Sequence, residues 1–588
     1  MDLRQAARLW KWRRGDQVEE GQGAASGLAR AIDAGGTDAL LGLLLPDADE
    51  LELADDEVRV QVQRCADAEI RVTTTWSDGT TAASTFRDES RPVHDLVAAL
   101  HDPGTALYHS EGRWWYGAPR AGADLVLPGR ECSDLGSPAF RERHRLRRSG
   151  MSGAMAGGIA SPALVLAMAR AGWLGSLGTG GLSLAEVTRQ TDEVVAGLSG
   201  ESACFNLLHN PIEPRVEEET VSLYLARGVR VVEASAFMGL TAEIVRFRLH
   251  GIHESDGRVV TPNRVIAKVS RPEVAEHFLR PAPAALLDEL RRRGALTEAQ
   301  VTLARGVPVA EDLTVEADSG GHTDRRPLSA LVPLMRRLAD TVAAERGAEQ
   351  RTGIGAAGGI GDPWSVAGAL AMGADYVVTG SVNQATVEAA TSDEVKKMLA
   401  AASFADVGMG PAPDMFEIGA EVQVLSRGSM YAQRAARLYH LYQTCGSLDQ
   451  IPADERARLE KQLFRCPLAE VEAETARYWG ARDPEVWARA GTDPRHRMAL
   501  VFRWYLGKTS RWAREGDAGR KLDYQVWCGP AMGLFNNWVK GSALEPLAAR
   551  TVVAVNEALF RGALIAERVH QARRVGPLPL AADRIVPS

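Results

Sequence analysis

Ala356-Ala-Gly-Gly-Ile-Gly-Asp-Pro363, followed by Val377-Val-Thr-Gly-Ser381, is the stretch on which the reading of this chain turns. Each segment runs from an apolar strand into small residues. In the first, Gly358 and Gly359 let backbone N–H groups come close to an anion, and Asp362 and Pro363 suit the N-cap and N1 positions of a following helix. In the second, the hydroxyls of Thr379 and Ser381 are available to phosphate oxygens. Such loops after the seventh and eighth strands of a strand–helix series match the frequent phosphate site of a TIM (β/α)8 barrel. The expected cradle is Ala357, Gly358, Gly359 and Ile360 with Thr379, Gly380 and Ser381. A pair of tight turns without a ligand is the plainer alternative.

The surrounding pattern supports the barrel. From about residue 150 to 410, short apolar runs alternate with Ala/Leu-rich helical segments, the rhythm of parallel α/β folds. Candidate strands end near Met155, Leu177, Leu207, Ala234, Lys268, Glu316, Ala357 and Thr379. Residues 271–306 exceed an ordinary connection and predict helices over Pro272–Arg280, Ala284–Arg293 and Thr297–Arg305, an inserted lid. Gly353-Ile-Gly-Ala-Ala-Gly358 also satisfies G-x-G-x-x-G, with Asp375 17 residues further on. That dinucleotide fingerprint is in the wrong context, because its early glycines fall inside the strand ending at Ala357.

Other strand ends carry chemistry. Ala154 and Met155 put a small residue and an adaptable thioether where a flat ring could lie, although Met155 reads equally as barrel core. Asn206 offers a donor and an acceptor to a ring edge, or caps a strand end. Lys268 closes the apolar run Val265-Ile-Ala-Lys and needs a negative partner; a reduced flavin, negative at N1 and the C2 carbonyl, is one, and a structural salt bridge is another. Gly320 and Gly321 allow close backbone approach before His322, a residue able to donate to a carbonyl or pass a proton. Glu316 and Asp318 either orient that histidine or bind ligand hydroxyls.

The flanks differ. Residues 1–140 alternate in runs such as Val58-Arg-Val-Gln-Val62 and Ile70-Arg-Val-Thr-Thr-Thr-Trp76, predicting a β-rich amino-terminal domain; 141–425 hold the barrel, and 426–588 a helical carboxy-terminal region for substrate or partner. Within the last, Asp523-Tyr-Gln-Val-Trp-Cys-Gly-Pro-Ala-Met-Gly-Leu-Phe-Asn-Asn-Trp538 gathers aromatics, glycines and amides that either face ligand or are buried. A formal charge of -8 disfavours nucleic-acid binding. No apolar run suggests a membrane span or signal peptide, so a cytoplasmic location is expected. Six cysteines (Cys65, Cys132, Cys204, Cys445, Cys466, Cys528) without a C-x-x-C pair predict buried thiols and no metal site.

Gly153-Ala-Met-Ala-Gly-Gly-Ile-Ala-Ser-Pro162, Ile266-Ala-Lys-Val-Ser270, Glu316-Ala-Asp-Ser-Gly-Gly-His322, Ala357-Gly-Gly-Ile-Gly361 and Val378-Thr-Gly-Ser-Val-Asn-Gln384 together resemble the nitronate monooxygenase-like flavoproteins. With Val232-Glu-Ala-Ser-Ala-Phe237, Pro413-Asp-Met-Phe-Glu-Ile-Gly419 and Asp523-Tyr-Gln-Val-Trp-Cys-Gly-Pro530, the chain is most similar to the PfaD-type trans-acting enoyl reductases of polyketide and polyunsaturated fatty acid synthases. The resemblance implies an FMN enzyme that draws hydride from NADPH and reduces an α,β-unsaturated thioester on an acyl carrier protein. His322 would be catalytic, polarising the thioester oxygen, orienting substrate or supplying the proton. Lys268 would lie at the flavin N1/O2 edge, Met155 and Asn206 beside the ring, and the two glycine loops at the phosphate. Synthase modules are the expected partners, and a homodimer is an admissible assembly. The basic runs Arg141–Arg148 and Arg291–Arg293 are either carrier-docking patches or solvated surface. Rival readings are a nitronate monooxygenase using oxygen and a non-catalytic flavoprotein scaffold.

Overall fold

The computed structural model describes residues 9–14, 17–21, 50–54, 58–64, 69–87, 93–110, 112–117, 119, 122–209 and 213–587. Eight parallel strands close into a barrel: β1 (Gly150–Ser152), β2 (Leu174–Leu177), β3 (Cys204–Leu208), β4 (Val231–Ser235), β5 (Arg264–Val269), β6 (Asp312–Glu316), β7 (Gly353–Ala357) and β8 (Tyr376–Thr379). β8 pairs back onto β1. The strands are short and mostly apolar because helices cover their outer faces and side chains fill the interior. β1 stops at Ser152, short of Met155, and Gly153 N donates to Thr379 O at 2.9 Å to finish the ladder.

The inner layer is built from alternate strand residues, Met151, Leu174, Cys204, Val231, Ile266, Tyr376 and Val378 among them. Helix Pro138–His144 plugs the amino-terminal end of the strands. Phe140 stacks on Tyr376 with centroids 4.0 Å apart, and Asp312 at the start of β6 is held by Arg143 at 2.5 Å and His144 at 2.7 Å. Asp375, the acidic residue of the rejected dinucleotide fingerprint, accepts from Arg351 (2.6 Å) and Ile354 N (2.7 Å), so it bolts β7 to the approach of β8.

The predicted insertion exists as helices Pro272–Leu279, Ala284–Arg292 and Glu298–Ala304, but it forms no lid. The first of these runs down the outside of the barrel. Ala310 N then donates to Phe278 O (2.9 Å), Val309 N to Arg280 O (3.1 Å) and Glu311 N to Val265 O (3.2 Å). The other two helices therefore leave and return at the amino-terminal end of β5 and β6, away from the functional mouth. Several members of the two basic runs are engaged within the chain: Arg141 donates to Leu135 O and Ser149, Arg143 and His144 hold Asp312, and Arg148 meets Glu557 at 3.1 Å, while Arg145 and Arg147 are exposed. Arg291 pairs with Glu298 at 3.1 Å and Arg293 with Glu243 at 2.7 Å.

After the barrel, strands Val407–Pro411 and Glu421–Leu425 form an antiparallel pair joined by the two-residue strand Gly321–His322. Helices Tyr431–Thr444, Leu468–Arg482 and Pro494–Glu515 bury a second core around Phe416, Tyr431, Leu438, Phe502 and Tyr505. The chain divides into two compact units, one of residues 1–131 with 564–585, the other of 132–563 with 586–588. In the first, strands ordered Gln17–Gly21, Leu9–Arg14, Glu50–Ala54, Val58–Arg64, Glu69–Trp76 and Thr81–Arg87 make an antiparallel sheet, in keeping with the alternating pattern. Arg568 from the terminal helix joins that unit, donating to Pro128 O and Ala99 O. Cys204 and Cys528 are buried, Cys132, Cys445 and Cys466 are half-buried, and Cys65 lies outside the described residues. Among the described residues no helix is long and apolar enough to cross a membrane.

Candidate active site at the carboxyl ends of the barrel strands

Alternation along β4, β5 and β6 turns Glu233, Lys268 and Glu316 into the same mouth. Lys268 Nζ lies 3.2 Å from Glu316 Oε1. Burial pulls the ammonium pKa down, but Glu316 and Glu233 outweigh it and hold the group above the ordinary lysine value. Glu233, fully buried, was not singled out from the sequence. Its Oε2 accepts from Ser176 Oγ (2.7 Å) and Ala154 N (3.0 Å), whereas its Oε1 is buried without a partner. Only its alternation with the inward residues of β4 could have marked it.

Asn206 and Met155 reach the site differently from expectation. The Asn206 amide donates to Ser235 Oγ (2.9 Å) and Glu233 O (3.2 Å), so its N–H groups are spent on β4 and Oδ1 alone remains for a ligand. Met155 is buried, and its carbonyl sits where a Cβ on Gly178 would come within 1.9 Å, which clamps the loop after β1 onto the end of β2. Just past β4, Ala236 adopts a left-handed φ of 64°, a strained conformation for a residue with a Cβ. Beyond it Met238 is 62% exposed and, at the end of β3, Leu208 is 38% exposed, an apolar rim on the mouth.

The two small-residue loops lie side by side, since β7 pairs with β8. Gly358 and Gly359 both have positive φ (92° and 72°), and a Cβ on Gly359 or Gly380 would meet nothing within 4 Å. Open space thus borders both loops. The helix after the first loop is capped from within: Asp362 accepts from Ser365 N (2.8 Å), and Ser365 Oγ accepts from Gly361 N and Asp362 N. The Thr379 hydroxyl does not face the opening. It donates to Asn556 Oδ1 (2.7 Å), accepts from Asn383 Nδ2 (2.9 Å), and is buried. Ser381 Oγ accepts from Gly529 N at 2.9 Å. An anion placed here would meet the backbone of Gly359, Ile360, Gly380 and Ser381 and the Ser381 O–H, but not the Thr379 hydroxyl.

Gly320, Gly321 and His322 are covered by the Asp523–Trp538 segment, whose role the sequence left open. A Cβ on Gly320 would lie 2.9 Å from Cys528 N, and one on Gly321 2.8 Å from the Trp527 ring. Gln384 Nε2 donates to Trp527 O at 2.5 Å, and Gln423 Nε2 to Asp318 Oδ1 at 3.1 Å. The His322 and Trp527 rings meet edge to face at 5.6 Å. His322 Nε2 lies 3.1 Å from Asp414 Oδ1, ion-pair distance without good hydrogen-bond alignment. Burial lowers the imidazole pKa, but Asp414 and Glu316 overcome it and raise the value above normal. For Asp414, burial raises the carboxyl and the His322 imidazolium lowers it further, leaving it below normal.

A closed parallel barrel with a fixed cation, a histidine and paired glycine loops at one mouth places this chain among TIM-barrel proteins with a site at the carboxyl ends of the strands. A solved structure, the enoyl reductase domain of MlnA from the macrolactin biosynthesis cluster of Bacillus amyloliquefaciens, is 36% identical with a TM-score of 0.72, over 75% of this chain and 100% of that one. A polyunsaturated fatty acid synthase polypeptide of Thraustochytrium sp. is 46% identical over 448 residues, 75% of this chain and 30% of that protein. Polyketide biosynthesis protein PksE of Bacillus subtilis is 42% identical over 437 residues, 74% of this chain and 57% of that protein. The chain thus spans less than two thirds of these curated relatives. Residues 445–524 match the family of acyl-carrier-protein S-malonyltransferase inserted helical domains. The chain belongs to the PfaD-type enoyl reductases associated with polyketide and polyunsaturated fatty acid synthases.

Proposed function

We propose that this chain is a trans-acting, FMN-dependent and NADPH-consuming enoyl reductase that acts on α,β-unsaturated acyl thioesters carried by an acyl carrier protein of a synthase. The observation that carries this reading is the meeting of Lys268, Glu233, Glu316 and His322 at the mouth that also holds the open glycine loops. The residues fit FMN. Open space beside Gly359 and Gly380 admits a phosphate, and the unpartnered Glu233 Oε1 is an acceptor that suits the N–H of a flavin ring. Holding the cofactor would fall to the loops at 357–360 and 379–381, to Asn206 Oδ1, and to Lys268.

Bound there, FMN supplies two-electron hydride chemistry between NADPH and the substrate double bond. Lys268 keeps its charge throughout the neutral range and opposes negative charge that develops at the mouth. His322, whose imidazole pKa is raised by Asp414 and Glu316, offers an N–H beside it. Leu208 and Met238 offer an apolar rim to an acyl chain, and the Trp527–Gly529 strip closes the site against water from the carboxy-terminal side.

Anaerobic mixing tests the proposal. NADPH should bleach the flavin absorbance of the purified protein, and a crotonyl or longer enoyl thioester should restore it. Recovery only with a nitronate and oxygen would instead make the chain a nitronate monooxygenase, and a flavin that NADPH never bleaches would make it a scaffold.

A further inference from the structure

We propose that Asp414 is the positioning residue that makes His322 the proton donor of this site, an inference that rests on the reductase reading above. The sheet register brings them together. His322 pairs with Val422, and Asp414 sits in the loop between that strand and its partner Val407–Pro411. His322 Nε2 is buried and faces Asp414 Oδ1 at 3.1 Å, so Nδ1 is the nitrogen left to a ligand. The Trp527 ring, edge to face at 84°, fixes the imidazole plane.

The charged groups facing the pair favour the imidazolium. Asp414 and Glu316 support it and Lys268 opposes it, while the Asp414 carboxyl is lowered chiefly by His322 itself, with a smaller contribution from Arg503 of helix Pro494–Glu515, which pairs with Glu417. In the imidazolium form that Asp414 favours, His322 serves as an acid, since that form has no lone pair with which to act as a base. With FMN bound to supply hydride from NADPH to the β-carbon, the electron pair left at the α-carbon would take the proton from His322. The Nδ1–H bond breaks, a C–H bond forms, and the neutral imidazole regains a proton from water. Asp414 touches no reacting atom.

Asp414→Asn keeps the shape and removes the charge, and the side chain is 55% exposed, so the fold tolerates the change. The His322 ring is titrated by NMR in the full chain, assigned by loss of its signal in His322→Gln. In Asp414→Asn the midpoint is expected at lower pH than in the wild type, with the alkaline limb of kcat moving the same way and kcat at pH 8 falling roughly tenfold. Asp414→Glu should restore most of both. An unmoved midpoint overturns the proposal whatever the enzyme reduces, as does a moved midpoint with an unmoved kcat limb. A midpoint that moves in Asp414→Asn while the wild-type chain never reduces an enoyl thioester overturns the functional reading and the donor role with it, but leaves the pairing intact.

Discussion

Lys268 shows how one side chain can be both structural and functional. Its ammonium lies inside a barrel strand and is stabilised by carboxylates on the strands at either side. Lys268→Met should leave the buried Glu233 and the neighbouring Glu316 without their cation, costing roughly 3 kcal/mol in urea unfolding and stripping flavin absorbance from the purified protein. The His322–Asp414 pair predicts a pH signature of stability. The raised imidazole contributes fully below about pH 6.5 and loses its share as pH rises through the folded value; the lowered carboxyl contributes fully above about pH 3.9 and loses its share as pH falls. Thermal melts of wild type and Asp414→Asn should therefore differ most between about pH 4 and 6.5 and converge as pH rises past the folded imidazole value. At Ala236, the left-handed backbone predicts that Ala236→Gly raises unfolding stability by up to about 1 kcal/mol, read from the same urea curves.

At the scale of elements, the barrel is held from its two ends by different means. The amino-terminal end is plugged by helix Pro138–His144, so Phe140→Ala should cost about 3–4 kcal/mol while leaving the intact fraction active, because Phe140 is far from the mouth. The carboxyl end is closed by backbone packing between Ser319–Gly321 and Trp527–Gly529. Gly320→Ala would drive a methyl against Cys528 N and should lower flavin content and turnover more than global stability, measured by absorbance ratio and by melting. The strand ends near Leu177, Leu207, Ala234, Lys268, Glu316, Ala357 and Thr379 were legible because a parallel strand and its covering helix have different periods. The end of β1 was less so: its loop continues in small, apolar residues that carry no boundary signal.

Over the whole molecule, the helical insertion and the carboxy-terminal region exchange the roles that chain length suggested. The insertion returns to the amino-terminal end of β5 and β6, and its Arg291 and Arg293 are paired with carboxylates. Arg291→Glu should leave carrier-dependent turnover unchanged, and a fall in kcat/KM for carrier-bound substrate with unchanged turnover of a small thioester would contradict this placement. Closure of the mouth comes instead from residues more than 200 positions after His322, through Trp527 and its neighbours.

The sequence by itself determined the barrel, the order of its strands, the paired glycine loops, and the candidacy of Lys268 and His322. These are local matters, set by hydrophobic period, by glycine's backbone freedom and by the cost of placing charge in an apolar strand. Tertiary structure alone decided that Glu233 faces Lys268, that the Thr379 hydroxyl turns to Asn556, and that Asp414 meets His322. It also decided which end of the barrel the insertion occupies. In each case the partners are far apart in the chain, and only closing the barrel and docking the later strand pair brings them within reach of a hydrogen bond.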